Sequence, residues 1–229
     1  MWCSCMKWGR GRPYLVQRPE HIPRIFTREA MLATRSFLVE ETFTPTLGAP
    51  DPVTKGLAGK ELAELGLLAE SGAVAFSDGV HAVADTQVMR RALTYAKTFG
   101  LIVIQRPEEP SLARGGVMNS GEMATRLGLT GIPAAAEIIM VERDLRLVEM
   151  SRGRLHFSNI STGEAVKAIA AAKQRGLDVT CDTAPPYFAL NEASVGDYRT
   201  FAKLSPPLRS EADRMAVAQG LAAGTIDCI

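Results

Sequence analysis

Histidine is scarce in this chain. Only His21, His81 and His156 occur in 229 residues, and no two of them are separated by a single residue. A site built on closely spaced imidazoles is therefore excluded. Cysteine is limited to Cys3, Cys5, Cys181 and Cys228, with no CxxC pair, so zinc-ribbon and dithiol redox motifs have no basis. Cys3 and Cys5 lie too close for an easy disulfide, and scattered thiols suit a reduced, cytoplasmic setting. No apolar run approaches the roughly 20 residues that cross a bilayer, and the start lacks the continuous apolar stretch of a secretory signal. No glycine-rich phosphate loop follows a strand-like segment, which leaves a dinucleotide-binding fold without support. Net charge is +1, so nothing global draws the chain to nucleic acid or an anionic membrane, and neither is expected as a partner. The charge is uneven: residues 1–35 hold seven Lys/Arg against two Glu. These basic residues are spread out, so residues 1–50 are read as a divergent or loosely ordered start and not as a nucleic-acid arm.

What is present is an ordinary globular balance, 46% hydrophobic and 22% charged. From about residue 56 helical and strand-like segments alternate. Helical spacing covers 60–72, 85–100, 134–153, 162–176 and 209–224, with Asp85, Thr162 and Ser210 placed as N-caps. Short apolar strands are expected at 73–76, 101–104, 154–160, 178–183 and 225–229. Such alternation predicts a parallel sheet covered by helices, and buried parallel strands are short and apolar in this way. The fold class is α/β, and the alternation predicts a (β/α) barrel, with 51–229 as its domain. Functional groups in such barrels sit where strands end, which directs attention to Asp78, Arg106, Asn159 and Thr183.

Several stretches carry a family resemblance: "GAVAFSDG", "MNSGEMATRLGLTGIPAAAEIIMVERDL", "HFSNIST", "FAKLSPPLRSEADR" and "GTIDCI". From Thr54 to Ile229 the chain resembles the dihydroorotases of the amidohydrolase superfamily. The resemblance implies a partial (β/α)8 TIM-type barrel of the metal-dependent amidohydrolase kind. In that family one or two Zn²⁺ ions at the barrel mouth activate water to open a cyclic amide. The ligands are a His-x-His pair, a carboxylated Lys or Asp after the fourth strand, single His residues after the fifth and sixth, and an Asp after the eighth.

Matched position by position, the His-x-His pair is absent. Asp78 falls at the first of the aspartates in the fourth-strand segment and Gly79 at the second, so Asp78 is the remaining metal-ligand candidate there. Arg106 falls on the fifth-strand histidine and Asn159 on the sixth. The eighth-strand Asp position falls past Ile229. Arg106 cannot ligate zinc, because a guanidinium stays protonated and has no lone pair to donate. Two readings remain open for it: a fixed cation paired with Asp78, Glu108 or Glu109, or a solvent-facing loop residue. Asn159 is expected to be a buried side chain satisfied by the backbone. His156 is expected to face outward toward the helices, since it and Asn159 differ by an odd number of residues. His81 reads as a solvated loop residue. Asn119, Ser205 and Arg209, with Lys203 nearby, are candidate contacts for an anionic substrate.

The resemblance thus implies a dihydroorotase-like protein of pyrimidine biosynthesis. The depleted ligand set points to a catalytically inactive, structural or partner-binding member with no catalytic residue and no zinc. The expected partner is aspartate carbamoyltransferase or a second copy of the chain. The alternative is an active zinc-dependent dihydroorotase interconverting N-carbamoyl-L-aspartate and dihydroorotate. A truncated reading frame is a third expectation, since the resemblance implies roughly two further strand–helix units before Thr54 and more after Ile229; such an open barrel would expose edge strands.

Overall fold

The computed structural model describes residues 6–9, 12–15 and 51–229. The reading of residues 1–50 as a loosely ordered start falls outside the described residues, apart from strands β1 (Met6–Gly9) and β2 (Arg12–Leu15), which pair antiparallel.

Four short strands build the main sheet: β3 (Ala75–Ser77), β4 (Ile102–Gln105), β7 (Arg154–Phe157) and β8 (Val179–Cys181). They are parallel, in the order β3-β4-β7-β8. Single parallel bridges extend this arc at both edges, Asp51 to Phe76 and Asp182 to Cys228. Between β4 and β7 the chain makes an excursion whose two-residue strands, β5 (Met118–Asn119) and β6 (Gly131–Ile132), pair in parallel.

The covering helices follow from local chemistry. After α1 (Leu65–Glu70) comes α2 (Thr86–Thr98), whose first turn is closed by Asp85 accepting from the Val88 N–H at 2.8 Å. Its buried residues Val88, Met89, Ala92, Leu93 and Ala96 recur at helical spacing and form one apolar face. The short helices α3 (Pro110–Ala113) and α4 (Glu122–Leu127) lie in the excursion, and α5 (Ala135–Ser151) returns the chain to β7. Then come α6 (Gly163–Gln174), capped by Thr162, the short α7 (Pro185–Ala189), and α8 (Glu211–Ala222), capped by Ser210. Helices α6 and α8 approach closely because Gly163 and Gly220 lack side chains: a Cβ at Gly163 would lie 2.7 Å from the Ala216 Cβ, and one at Gly220 2.8 Å from Val166 Cγ1.

The core lies between the helices and one face of the sheet. Phe76, Val103, Leu155, Phe157, Val179 and Cys181 are buried there with Met89, Leu93, Val141, Val148, Ile169 and others. Strand side chains alternate in direction, so Ile104, His156 and Thr180 point to the opposite, inner face. This is the layering of a partial (β/α) barrel, the fold class expected from the sequence.

Three element expectations are corrected. The helix expected over 60–72 shrinks to Leu65–Glu70, because Leu62 bridges Thr54 and the Lys55 N–H donates to the Glu61 carbonyl, which commits 53–63 to a hairpin-like turn. The strand expected over 154–160 stops at Phe157, since Asn159 takes φ 60°. At 225–229 only Cys228 joins the sheet, through its bridge to Asp182.

Candidate functional site at the strand ends

Thr54 engages Asp78 completely. The carboxylate is buried at the end of β3; one oxygen accepts from the Thr54 N–H at 2.9 Å and the other from the Thr54 hydroxyl in a short bond. The pair ties the chain entering the sheet to the end of β3.

Arg106 follows β4 and is 7% exposed, so the solvent-facing reading is corrected. Its Nη1 donates to the Val80 carbonyl at 3.3 Å, and its Nη2 bonds the Ser205 hydroxyl. Its ionic partner is Glu108, 3.8 Å away, and the Ser205 hydroxyl also donates to Glu108 at 3.2 Å. Asp78 and Glu109 do not share it: the Glu109 carboxylate caps α3 by accepting from the Leu112 N–H at 2.8 Å. The Arg106 Nε is buried without a hydrogen-bond partner. Among the expected substrate contacts, Ser205 therefore belongs to the Arg106 clasp.

Asn119 and Arg209 belong elsewhere. Arg209 is 3% exposed and donates to the Asn119 side-chain oxygen (3.1 Å), the Ile132 carbonyl (2.9 Å) and the Ser161 hydroxyl (3.2 Å). Asn119 donates onward to Glu192 at 2.7 Å. On the other side of Ser161 lies Glu137, a fully buried carboxylate on α5. It accepts from the backbone N–H and hydroxyl of both Ser161 and Thr162, at 2.5–3.2 Å. The network joins the β5–β6 excursion, α5 and the entrance to α6. Lys203 is exposed and takes no part in it. Sequence reading missed Glu137 because a glutamate in the first turn of a helix looks like a solvated dipole partner.

Asn159 departs from expectation. It is half-buried, and it is the backbone N–H that bonds, to Asp182 Oδ1 at 2.6 Å. Its φ of 60° is a conformation that asparagine tolerates better than most residues. His156 is also corrected: Leu155 and Phe157 on either side of it enter the helix-facing core, so His156 lies on the inner face. It is 3% exposed, with Nδ1 2.8 Å from the Thr180 hydroxyl and Nε2 3.0 Å from Asp182 Oδ2. The outward assignment failed because alternation was carried past Phe157 into the left-handed turn. Thr183, the last strand-end candidate, is buried and donates its hydroxyl to the Ile160 carbonyl at 2.7 Å.

As zinc donors these positions do not fit. Arg106 offers no lone pair, Asn159 a weak one, and both oxygens of Asp78 are already engaged. Elsewhere, burial pushes the Cys181 thiol up to about 12, so it is an inert member of the helix-facing core. No described helix is long and apolar enough to cross a membrane.

Comparison with known proteins agrees with this architecture. The chain is 52% identical over 177 residues to a dihydroorotase of Desulforapulum autotrophicum, covering 77% of this chain and 42% of that protein. It is 47% identical over 200 residues to a dihydroorotase of Geotalea daltonii, covering 86% of this chain and 47% of that one. The chain thus spans less than half the length of these relatives. Among solved structures, a D-hydantoinase (dihydropyrimidinase) from Thermus sp. superposes with a TM-score of 0.53 at 27% identity, over 62% of this chain and 32% of that one. An L-hydantoinase (dihydropyrimidinase) from Arthrobacter aurescens gives 0.61 at 22% identity, over 72% and 39%, a likeness of fold. The profile of the Dihydro-orotase-like family matches residues 37–165. On the strength of that match, the chain belongs to the dihydro-orotase-like family.

Proposed function

We propose that this chain is a dihydroorotase homologue of pyrimidine biosynthesis that has given up zinc-dependent hydrolysis and acts as a structural partner of aspartate carbamoyltransferase. The observation that carries the loss of hydrolysis is Arg106. It stands where the resemblance puts a histidine ligand, and it is buried and clasped by Ser205, Val80 and Glu108. A fixed guanidinium there repels a dication; even at an effective dielectric of 20, two unit charges 4 Å apart interact by about 4 kcal/mol. Asn159 at the second histidine position supports the same reading. What is left is a covered sheet with its inter-element locks intact, which suits a scaffold. The partner is named from the resemblance: dihydroorotase-like subunits without activity assemble with aspartate carbamoyltransferase.

The second reading, an active zinc-dependent dihydroorotase, is favoured by the 52% identity to a protein of that name. Two measurements on the purified chain separate them. The first pairs zinc content with hydrolysis of dihydroorotate. The second is size-exclusion chromatography with aspartate carbamoyltransferase from the same source. The proposal expects no turnover with or without added Zn²⁺, and a co-eluting complex. Turnover that depends on stoichiometric zinc would overturn the loss of hydrolysis, and separate elution would overturn the partnership.

A further inference from the structure

On the inner face of the sheet, three potential ligands of different chemistry converge from adjacent strands. His156 comes from β7, Asp182 from just past β8, and Cys228 from the segment that bridges Asp182. A nitrogen of His156, a carboxylate oxygen of Asp182 and the Cys228 sulfur all lie within 4.8 Å of one another. We propose that His156, Asp182 and Cys228 form a binding site for a borderline-soft divalent transition metal such as Zn²⁺, distinct from the ligand positions of the family.

Register explains why the three groups meet. His156 pairs with Thr180 across β7 and β8, and Asp182 lies two residues beyond Thr180, so it shares that side of the sheet. The Asp182–Cys228 bridge is parallel and places the next side chain alongside. None of the three is at a position matched to a family ligand: those fall at 78, 106 and 159.

The spacing suits a small ion. At zinc bond lengths of about 2.0–2.1 Å to nitrogen and oxygen, tetrahedral ligands lie roughly 3.3 Å apart, and His156 Nε2 already lies 3.0 Å from Asp182 Oδ2. Binding would replace the hydrogen bond of that pair by the ion and release its proton, together with the Cys228 thiol proton, to solvent. Supporting bonds are in place. The Thr180 hydroxyl, 2.8 Å from His156 Nδ1, can accept Nδ1–H and hold the ring with Nε2 directed at the metal. The Asn159 N–H fixes Asp182 through its other oxygen, at 2.6 Å. Access lies beside Asp182, whose side chain is 14% exposed, against 4% for His156. A thiolate, an imidazole and a carboxylate together select zinc or cobalt over Mg²⁺ and Ca²⁺, which prefer oxygen alone. Three protein ligands leave a fourth position for water or a small anion.

The test is titration of the full chain with Co²⁺, with Zn²⁺ competition, followed by visible and near-ultraviolet absorption. Cys3 and Cys5 are first changed to Ser so that sulfur ligation reports on the remaining thiols. A sulfur-to-cobalt charge-transfer band at one equivalent is expected, together with d–d bands of tetrahedral strength. Cys228→Ala should abolish the charge-transfer band, while Cys181→Ser keeps it. Thr180→Val, which changes no ligand, should weaken binding about 10- to 100-fold and serves if Cys228→Ala fails to fold. Absence of a sulfur band in the parent chain overturns the site, as does its persistence in Cys228→Ala or unchanged affinity in Thr180→Val. The site does not rest on the proposed loss of hydrolysis: the sulfur band reports on this trio, and dihydroorotate turnover reports on the other reading.

Discussion

Replacing Glu137 by alanine tests whether Arg209 and its neighbours are a structural lock or an anion-binding group. The Glu137 carboxylate accepts from two backbone N–H groups and two hydroxyls at Ser161 and Thr162, all buried. Arg209, itself buried, reaches this carboxylate through the Ser161 hydroxyl. Hydrogen bonds to a charged group contribute about 1.5–3 kcal/mol each, without simple additivity. Removing one side of a buried charge arrangement costs about 3–5 kcal/mol, because the remaining groups stay desolvated. Glu137→Ala should therefore lower stability by about 3–5 kcal/mol. Glu137→Gln should cost less, about 1–2 kcal/mol, because its carbonyl can still serve the Oε1 donors while the Ser161 hydroxyl turns to accept. Urea unfolding of the three proteins, followed by circular dichroism, measures both differences. A cycle with Ser161→Ala should show a coupling of at least about 0.5 kcal/mol. If Glu137→Ala unfolds within about 1 kcal/mol of the parent, less than the loss of a single charged hydrogen bond, the lock is not real and Arg209 returns as a candidate for binding anions.

Two further predictions concern the same framework. Burial pushes the Asp144 carboxyl up to about 6, against the opposing pull of Arg143 and Gln105. The unfolded chain then loses this proton first as pH rises from about 4, so the Asp144 contribution is fully present in acid and lost as pH climbs through 6; ionisation at neutral pH costs the folded state about 2–3 kcal/mol. The stability of the parent relative to Asp144→Asn should therefore rise as pH falls from 7 toward 4, and a difference flat in pH refutes the assignment. In the excursion, a Cβ at Gly131 would sit 2.4 Å from Ser120 Cα and 2.9 Å from its backbone nitrogen. Gly131→Ala should cost about 1–3 kcal/mol and speed hydrogen exchange of the Ser120 amide, which bonds the Ile132 carbonyl at 3.1 Å; unchanged exchange contradicts it.

Much of the fold was legible because its signals are local. Asp85, Thr162 and Ser210 cap their helices as their positions predict, and the strands at 75–77 and 102–105 lie within or beside the apolar runs that announce them. Errors arose where a local pattern met a longer-range demand. The spacing over 60–72 is helical, yet Leu62 is drawn off to bridge Thr54. Asp144 and Glu137 sit in a helix like ordinary surface acids, and it is Gln105 on β4 and the Ser161–Thr162 turn, far along the chain, that meet them in the interior. Arg106 was legible as a non-ligand from its chemistry alone, but its clasp depends on Ser205, 99 residues away. His156, Asp182 and Cys228 are far apart in sequence, and no spacing rule joins them; the register of neighbouring strands does.

That register also separates the side chains that hold the fold from those that gather at the strand ends. Along each strand one set of side chains meets the helices and the alternate set meets the inner face. The helix-facing set, Phe76, Val103, Leu155, Phe157, Val179 and Cys181, is fully or almost fully buried in one core cluster. Any polar or undersized replacement there would cost several kcal/mol through desolvation or cavities. The inner set includes Ile104, His156 and Thr180, with Arg106, Asp182 and Cys228 at or beyond the strand ends. The polar members bond mostly one another and the loops: Arg106 is held by Ser205 and Glu108, with no helix involved. One parity of each strand therefore carries the packing of the fold, and the other carries the polar contacts. A barrel of this kind can therefore hold a backbone likeness, a TM-score of 0.61 at 22% identity, while the polar groups at its strand ends differ.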